Sequence, residues 1–387
     1  MKRTYYEKIA SELHVDVWQV EAASLLLVDG ATIPFITRYR KEVTGSLDEV
    51  RITNIRNRLA QLEELDKRRE AIVKSLEEQG KLDDELKEKI DAAETLAVLE
   101  DIYLPYRPKR RTRATIAREK GLEPLAQIIL SQHDLDPFVE SAAFVDAEKG
   151  VETIEDALSG ARDIIAEWVN EDQEARTKMR SLFFEKGVFA SKVIPGKETE
   201  GQKYKDYFDW EEPVAKAPSH RILAMRRGEK EGFLRLHVAP PEDEALALLE
   251  ALFIKAQNKS SEQVRLAVHD GYERLLVSSM ETEIRAETKK KADDKAIQIF
   301  ADNLRQLLLA PPLGERGVIG IDPGFRTGCK VVCLNPQGKL VYTDTIYPLT
   351  SDKGRKESAE KIIFLCEKYK IDMIAVGNGT GGRQTEA

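Results

Sequence analysis

Cysteine is scarce in this sequence: three residues in 387, Cys329, Cys333 and Cys366. So small and odd a set in a long chain excludes a disulfide framework. Cys329 and Cys333 stand four apart on one face of a short apolar run and read as buried thiols, since no partner cysteines or histidines complete a metal set. Long apolar runs are missing too. Leu25 to Val28 and Leu307 to Leu313 are far too short to span a bilayer. The opening MKRTYYEKIASELH lacks the apolar middle of a signal peptide, so a cytoplasmic chain without membrane contact is expected. Positive charge is also in deficit, with 60 Lys and Arg against 68 Asp and Glu, a net charge of −8. That balance excludes indiscriminate polyanion binding, and any nucleic-acid contact must come from local clusters. No internal repeat and no low-complexity tract is apparent.

What is present is a chain of 33% charged and 42% hydrophobic residues, patterned for helices and long enough for two or more packing units. Asp16 with Gln19 forms a capping box opening a helix to Val28, and Gly30 stops it. Thr32-Ile33-Pro34 begins a helix carrying Phe35, Ile36 and Tyr39 beside Arg38, Arg40 and Lys41, three candidate nucleic-acid contacts. Gly45 ends it, and Ser46 with Glu49 makes a second capping box for a long helix. Short helices parted by glycine turns fit a helix-turn-helix or an ordinary helical bundle. From Leu59, the positions Leu62, Leu65, Ile72 and Leu76 advance by threes and fours, with Arg69 filling one seam position. After Gly80, the positions Leu82, Leu86, Ile90, Ala93 and Leu96 resume the pattern, which describes a helical hairpin zipped along a narrow seam.

Tyr103-Leu104-Pro105-Tyr106-Arg107-Pro108 cannot continue a helix, because proline removes donors and restricts its predecessor. Residues 101 to 120 hold seven basic side chains, Arg107, Lys109, Arg110, Arg111, Arg113, Arg118 and Lys120, against Asp101 and Glu119, a local excess of five. Beside two tyrosines, the cluster fits phosphate contact with base stacking. It fits equally a solvated loop whose arginines pair with acidic helices nearby. Further on, helices are expected over 125 to 130, 137 to 144 and 154 to 184 with a break near Asn170. Residues 192 to 209 read as strand and loop. Ser219 caps a helix ending before Gly228, in which His220 reads as a hydrogen-bonded structural residue, and residues 232 to 238 alternate as an edge strand.

The C-terminal stretch changes character. Gly317 to Ile321 reads as a buried strand, Asp322-Pro323-Gly324 as a turn, Lys330 to Leu334 and Leu340 to Tyr347 as two more strands. A helix follows from Lys353 to Tyr369 with Ala359, Ile362, Ile363 and Cys366 on its apolar face, then a fourth strand from Asp372 to Gly377. Two hairpins and a crossover to a parallel strand make the front half of a ribonuclease H-like fold, which keeps a metal ligand where Asp322 stands.

The motifs GIDPGFRTGCKV, NLRQLLLAPPLG and VGNGTGGRQTEA, with DGATIPFITRYRKEVTGSLDE and EDIYLPYRPKRRTRATIAREKGLEPLA upstream, resemble the bacterial Tex family of transcription accessory factors along the whole chain. The resemblance implies a mainly α-helical, multi-domain N-terminal region followed by a partial α/β ribonuclease H-like (YqgF) domain, and a chain that is a fragment. The expected division is 1–100 with the hairpin arm, 101–314 with the basic loop and a small strand-containing insert, and 315–387 for the partial YqgF domain. It also implies RNA or single-stranded nucleic acid and the transcription machinery as partners. Two-metal hydrolysis needs several carboxylates around two cations. Asp322 is one; the place of a second at the end of the fourth strand holds Gly377-Asn378, and Glu386 reaches it only if its loop folds back. The expectation is a non-enzymatic scaffold with Asp322 vestigial, no metal site and no cofactor. The alternative is a metal-dependent nuclease of the YqgF or RuvC type completed by residues outside this chain. An actin-like or sugar-kinase-like phosphate site is disfavoured, because it needs a second phosphate hairpin and an adenosine pocket that this chain has no room to encode, and residues 377–382 are no Walker loop, since no Lys-Ser/Thr follows.

Overall fold

A computed structural model describes residues 2–108 and 110–387. The chain forms two compact units, Met1–Ile297 and Gln298–Ala387.

The first unit is helical and has three apolar centres. In the first, helices Arg3–Leu13, Val17–Val28 and Ile33–Tyr39 pack on the start of the long helix Glu49–Glu78, around Ile9, Val20, Ile36, Ile52 and Ile55. The Asp16–Gln19 box forms as expected, with the Gln19 side chain accepting from the Asp16 backbone N–H at 3.0 Å. The long helix is capped differently. Asp48, not Ser46, accepts from the N–H of Arg51 at 2.7 Å. Ser46 stands at φ +61° and cannot serve, while Leu47 is driven into the core beside it. The preceding helix is also interrupted: Arg40, at φ −134° and ψ 31°, separates Ile33–Tyr39 from Lys41–Thr44.

The hairpin arm exists, but its returning limb is two helices, Asp84–Ala92 and Leu96–Tyr103. Ala93 leaves helical geometry and Thr95 caps the second helix, so the seam Leu65, Ile72, Leu76, Leu86, Ile90 and Leu99 is closed by three helices. Arg69 is the reason a cation fits that seam. Its guanidinium donates to the carbonyls of Ile90 (3.0 Å) and Ala93 (2.9 Å) at the C-terminal end of helix Asp84–Ala92, where carbonyls lack their full set of intrahelical donors.

The third and largest centre lies among helices Arg113–Glu119, Glu123–Ser131, Ile154–Glu171, Gln173–Lys186 and Lys259–Gly271. The expected break near Asn170 falls at Asp172, which caps the following helix. A three-stranded antiparallel sheet, less evident in the sequence, packs here: β1 Val188–Val193 runs between β2 Asp209–Pro213 and β3 Leu234–Ala239. β3 is the edge strand expected. The helix before it, Ser219–Lys230, runs through Gly228 rather than stopping there. A Cβ at Gly228 would lie 2.6 Å from Leu234 Cδ1, so this glycine serves close packing, and Gly232, at φ +79°, takes the turn.

In the second unit, β4 Val318–Asp322, β5 Cys329–Leu334 and β6 Leu340–Ile346 form an antiparallel run. Helix Asp352–Tyr369 then returns the chain to β7 Met373–Val376, parallel to β4, giving the order β6-β5-β4-β7. This is the partial ribonuclease H-like sheet. Cys329 and Cys333 are buried in it; burial pushes the Cys333 thiol up, reinforced by Cys366 on the helix. The helix buries Leu365 and packs Ile362, Cys366 and Tyr369 inward, whereas Ile363, expected on that face, is 59% exposed. Ala359 and Ile363 form a stripe one residue further round and line a cavity of about 850 Å³ with Ile374 and Val376.

Candidate nucleic-acid interface

The basic loop is held at both ends. On its N-terminal side, Arg107 N–H donates to the Tyr103 carbonyl (3.1 Å), continuing the arm's last turn. On its C-terminal side Thr112 caps helix Arg113–Glu119, accepting from Thr115 N–H at 3.0 Å and donating to Glu167 at 3.2 Å. Glu167 is buried and pairs with Arg118 at 2.5 Å, while Lys120 donates to the Gly150 carbonyl at 2.7 Å. Two of the seven cations therefore turn inward as structural ties.

Arg107, Arg110, Arg111 and Arg113 are exposed. Arg111 pairs with Glu119 at 2.8 Å; Arg107, Arg110 and Arg113 form no ion pair with any described residue. Lys109 lies outside the described residues. Arg113 occupies the first position of its helix, where the backbone dipole disfavours a cation. Like charges crowded at an unfavourable helix end are relieved by an anion. The two tyrosines beside the loop do not offer their rings. Tyr103 is buried with its hydroxyl 2.9 Å from that of Ser75, and Tyr106 packs half-buried against the arm's centre.

Arg38, Arg40 and Lys41 form a second exposed basic group, also without ion pairs among the described residues. His220 is exposed in the first turn of its helix and makes no hydrogen bond with a described residue, contrary to the bonded role expected.

At the end of β4, Asp322 is exposed and stands in register with Lys330 of β5. Gly377 donates its N–H to the Ile321 carbonyl at 2.8 Å, so a glycine backbone occupies the neighbouring strand end. Glu386, in helix Gly382–Glu386, lines the 850 Å³ cavity; Asp322 does not. Among the described residues, no three His, Cys, Asp or Glu side chains converge in a way that could hold a metal ion. No helix among them is long and apolar enough to cross a membrane. Reading by periodicity passed over the buried ion cluster of Asp101, Arg176, Arg180 and Glu283. Its only trace in the sequence is charge on otherwise apolar helix faces, at Arg176 and Arg180.

Helical centres with exposed cationic clusters, followed by a partial ribonuclease H-like sheet bearing one strand-tip carboxylate, define a mainly α-helical chain that ends in a partial α/β unit. Three family models match it in succession: the Tex-like protein N-terminal domain over residues 3–77, the Tex central region-like model over 132–300, and the Tex protein YqgF-like domain over 316–387. The chain belongs to the Tex family. It is similar to Protein YhgF of Escherichia coli K12, 43% identical over 396 residues, covering 100% of this chain and 51% of that protein. The Transcriptional accessory protein Tex of Neisseria gonorrhoeae is 40% identical over 393 residues (98% and 50%). The human S1 RNA-binding domain-containing protein 1 is 26% identical over 396 residues (98% and 39%). The chain spans about half the length of its bacterial relatives. The basic loop falls in residues 78–131, between the first two family models.

Proposed function

We propose that this chain is a nucleic-acid-binding part of a transcription accessory protein, holding single-stranded RNA against the loop from Arg107 to Arg113. The observation that carries the reading is the presence of three exposed cations, Arg107, Arg110 and Arg113, without ion-pair partners among the described residues, in a chain of net charge −8. RNA is chosen because relatives carry the names transcriptional accessory protein and S1 RNA-binding domain-containing protein. The transcription machinery as partner and the cytoplasm as location belong to the same proposal. The division into 1–100, 101–314 and 315–387 belongs to this reading.

The ribonuclease H-like unit acts as a scaffold with a degenerate centre, needing no cofactor. One carboxylate cannot position two cations for in-line attack on a phosphodiester. The nuclease alternative rests on Asp322 being completed by residues outside this chain, and Asp322→Ala in a full-length protein separates the two. Metal-dependent cleavage lost with that aspartate would establish the nuclease; binding without cleavage in both forms agrees with the scaffold. For the loop, filter binding of single-stranded RNA to the 387-residue chain should be lost at about 200 mM salt, with residual affinity only at low salt, in the Arg107→Glu, Arg110→Glu, Arg113→Glu variant. Affinity retained at the higher salt removes the loop from the account.

A further inference from the structure

Helix Ile33–Tyr39 buries Ile36 completely yet leaves two aromatic rings outside, Phe35 at 38% and Tyr39 at 63% exposure. At i and i+4 they share one helix face, with ring centroids 5.5 Å apart and planes tilted by 43°. Arg40 would lie roughly 140° round from Phe35 if the helix continued through it. The break at Arg40 instead brings its guanidinium over the Phe35 ring at 5.1 Å, and its Nη1 donates to the Tyr39 carbonyl at 2.9 Å. One face of Phe35 is thereby occupied by a cation, and Tyr39 remains the open ring. Arg38 and Lys41 flank it, exposed and without ion pairs among the described residues.

We infer that Tyr39, backed by Phe35 and Arg40, is a stacking platform for one unpaired base of a single-stranded nucleic acid, with Arg38, Arg40 and Lys41 holding the flanking phosphates. The inference rests on the nucleic-acid reading above and deepens it. The loop supplies charge but no open ring, and this helix supplies both. An exposed tyrosine edged by cations complements a strand that presents a π-face beside each negative charge. A duplex keeps its bases stacked on one another and offers no such face.

The test measures binding of the 387-residue chain to an oligoadenylate of about twelve nucleotides and to an abasic strand with the same number of phosphates. Tyr39→Leu should weaken the oligoadenylate by roughly five- to a hundredfold and leave the abasic strand unchanged. Tyr39→Trp should restore affinity. The slope of log affinity against log salt should be the same in all three proteins, because the phosphate contacts persist. Equal affinity of the two strands for the unaltered chain, or equal loss on both with Tyr39→Leu, overturns the platform. If Tyr39→Leu has no effect while reversing Arg107, Arg110 and Arg113 abolishes binding, the platform fails and the loop stands. If neither strand binds the unaltered chain, both fail.

Discussion

Asp101 is buried with Arg176 and accepts from it at 2.5 Å and from Arg180 at 2.7 Å; Arg180 also pairs with Glu283. Such a cluster gains little over an apolar replacement, but removing one member strands a buried charge. Asp101→Ala is therefore expected to destabilise the first unit by about 3–5 kcal/mol, read as a fall in the urea midpoint. Asp344 in β6 makes a pH-dependent counterpart in the second unit. Its hydrogen bond to Lys361, then those from the Tyr342 hydroxyl and Thr345 N–H, hold its carboxyl far below the usual carboxylate range. A depressed carboxylate contributes its full stabilisation above the unfolded pKa of about 3.9 and loses it as pH falls from there towards the folded value. Asp344→Asn should lower the unfolding midpoint at neutral pH, and the gap from wild type should close below about pH 4. A gap of constant size across that window would contradict the assignment. Neither group was legible in the sequence, because pairing across 75 residues, as between Asp101 and Arg176, leaves no local pattern.

Elements whose signals are local were read correctly. The Asp16–Gln19 box, the Gly30 stop, the arm's seam and the four C-terminal strands each depend on residues a few positions apart. The misreadings came where burial overrode a local motif. Ser46 has the right type for a cap, but it stands at φ +61° next to the buried Leu47, and Asp48 caps instead. Asp48→Ala should therefore cost about 1 kcal/mol in thermal or urea unfolding, and Ser46→Ala should stay within about 0.5 kcal/mol. Gly228 looked like a stop because its packing against Leu234, on the next strand, is invisible in a linear reading. The three-stranded sheet was only partly seen, since β1 and β2 lie in a charged stretch interrupted by a 3-10 turn at Gln202–Tyr207. Of the candidate interface, the basic loop was visible as composition. Which of its cations are spent on Glu119, Glu167 and Gly150 was not.

Across the whole molecule, the negative balance opposes a polyanion everywhere except at such local clusters, so binding must be short-ranged and strongly dependent on salt. Three loop cations meeting a single strand contribute a slope of about −2, or roughly a twentyfold change in affinity between 50 and 200 mM salt. Had all five basic residues of the loop been available, that figure would be nearer a hundredfold. The most direct test of the central claim is a salt titration of single-stranded RNA binding, comparing the unaltered chain with the Arg107→Glu, Arg110→Glu, Arg113→Glu variant at salt low enough to retain residual affinity. The account predicts a slope flatter by about 2 in the variant. Parallel lines for the two proteins would contradict it.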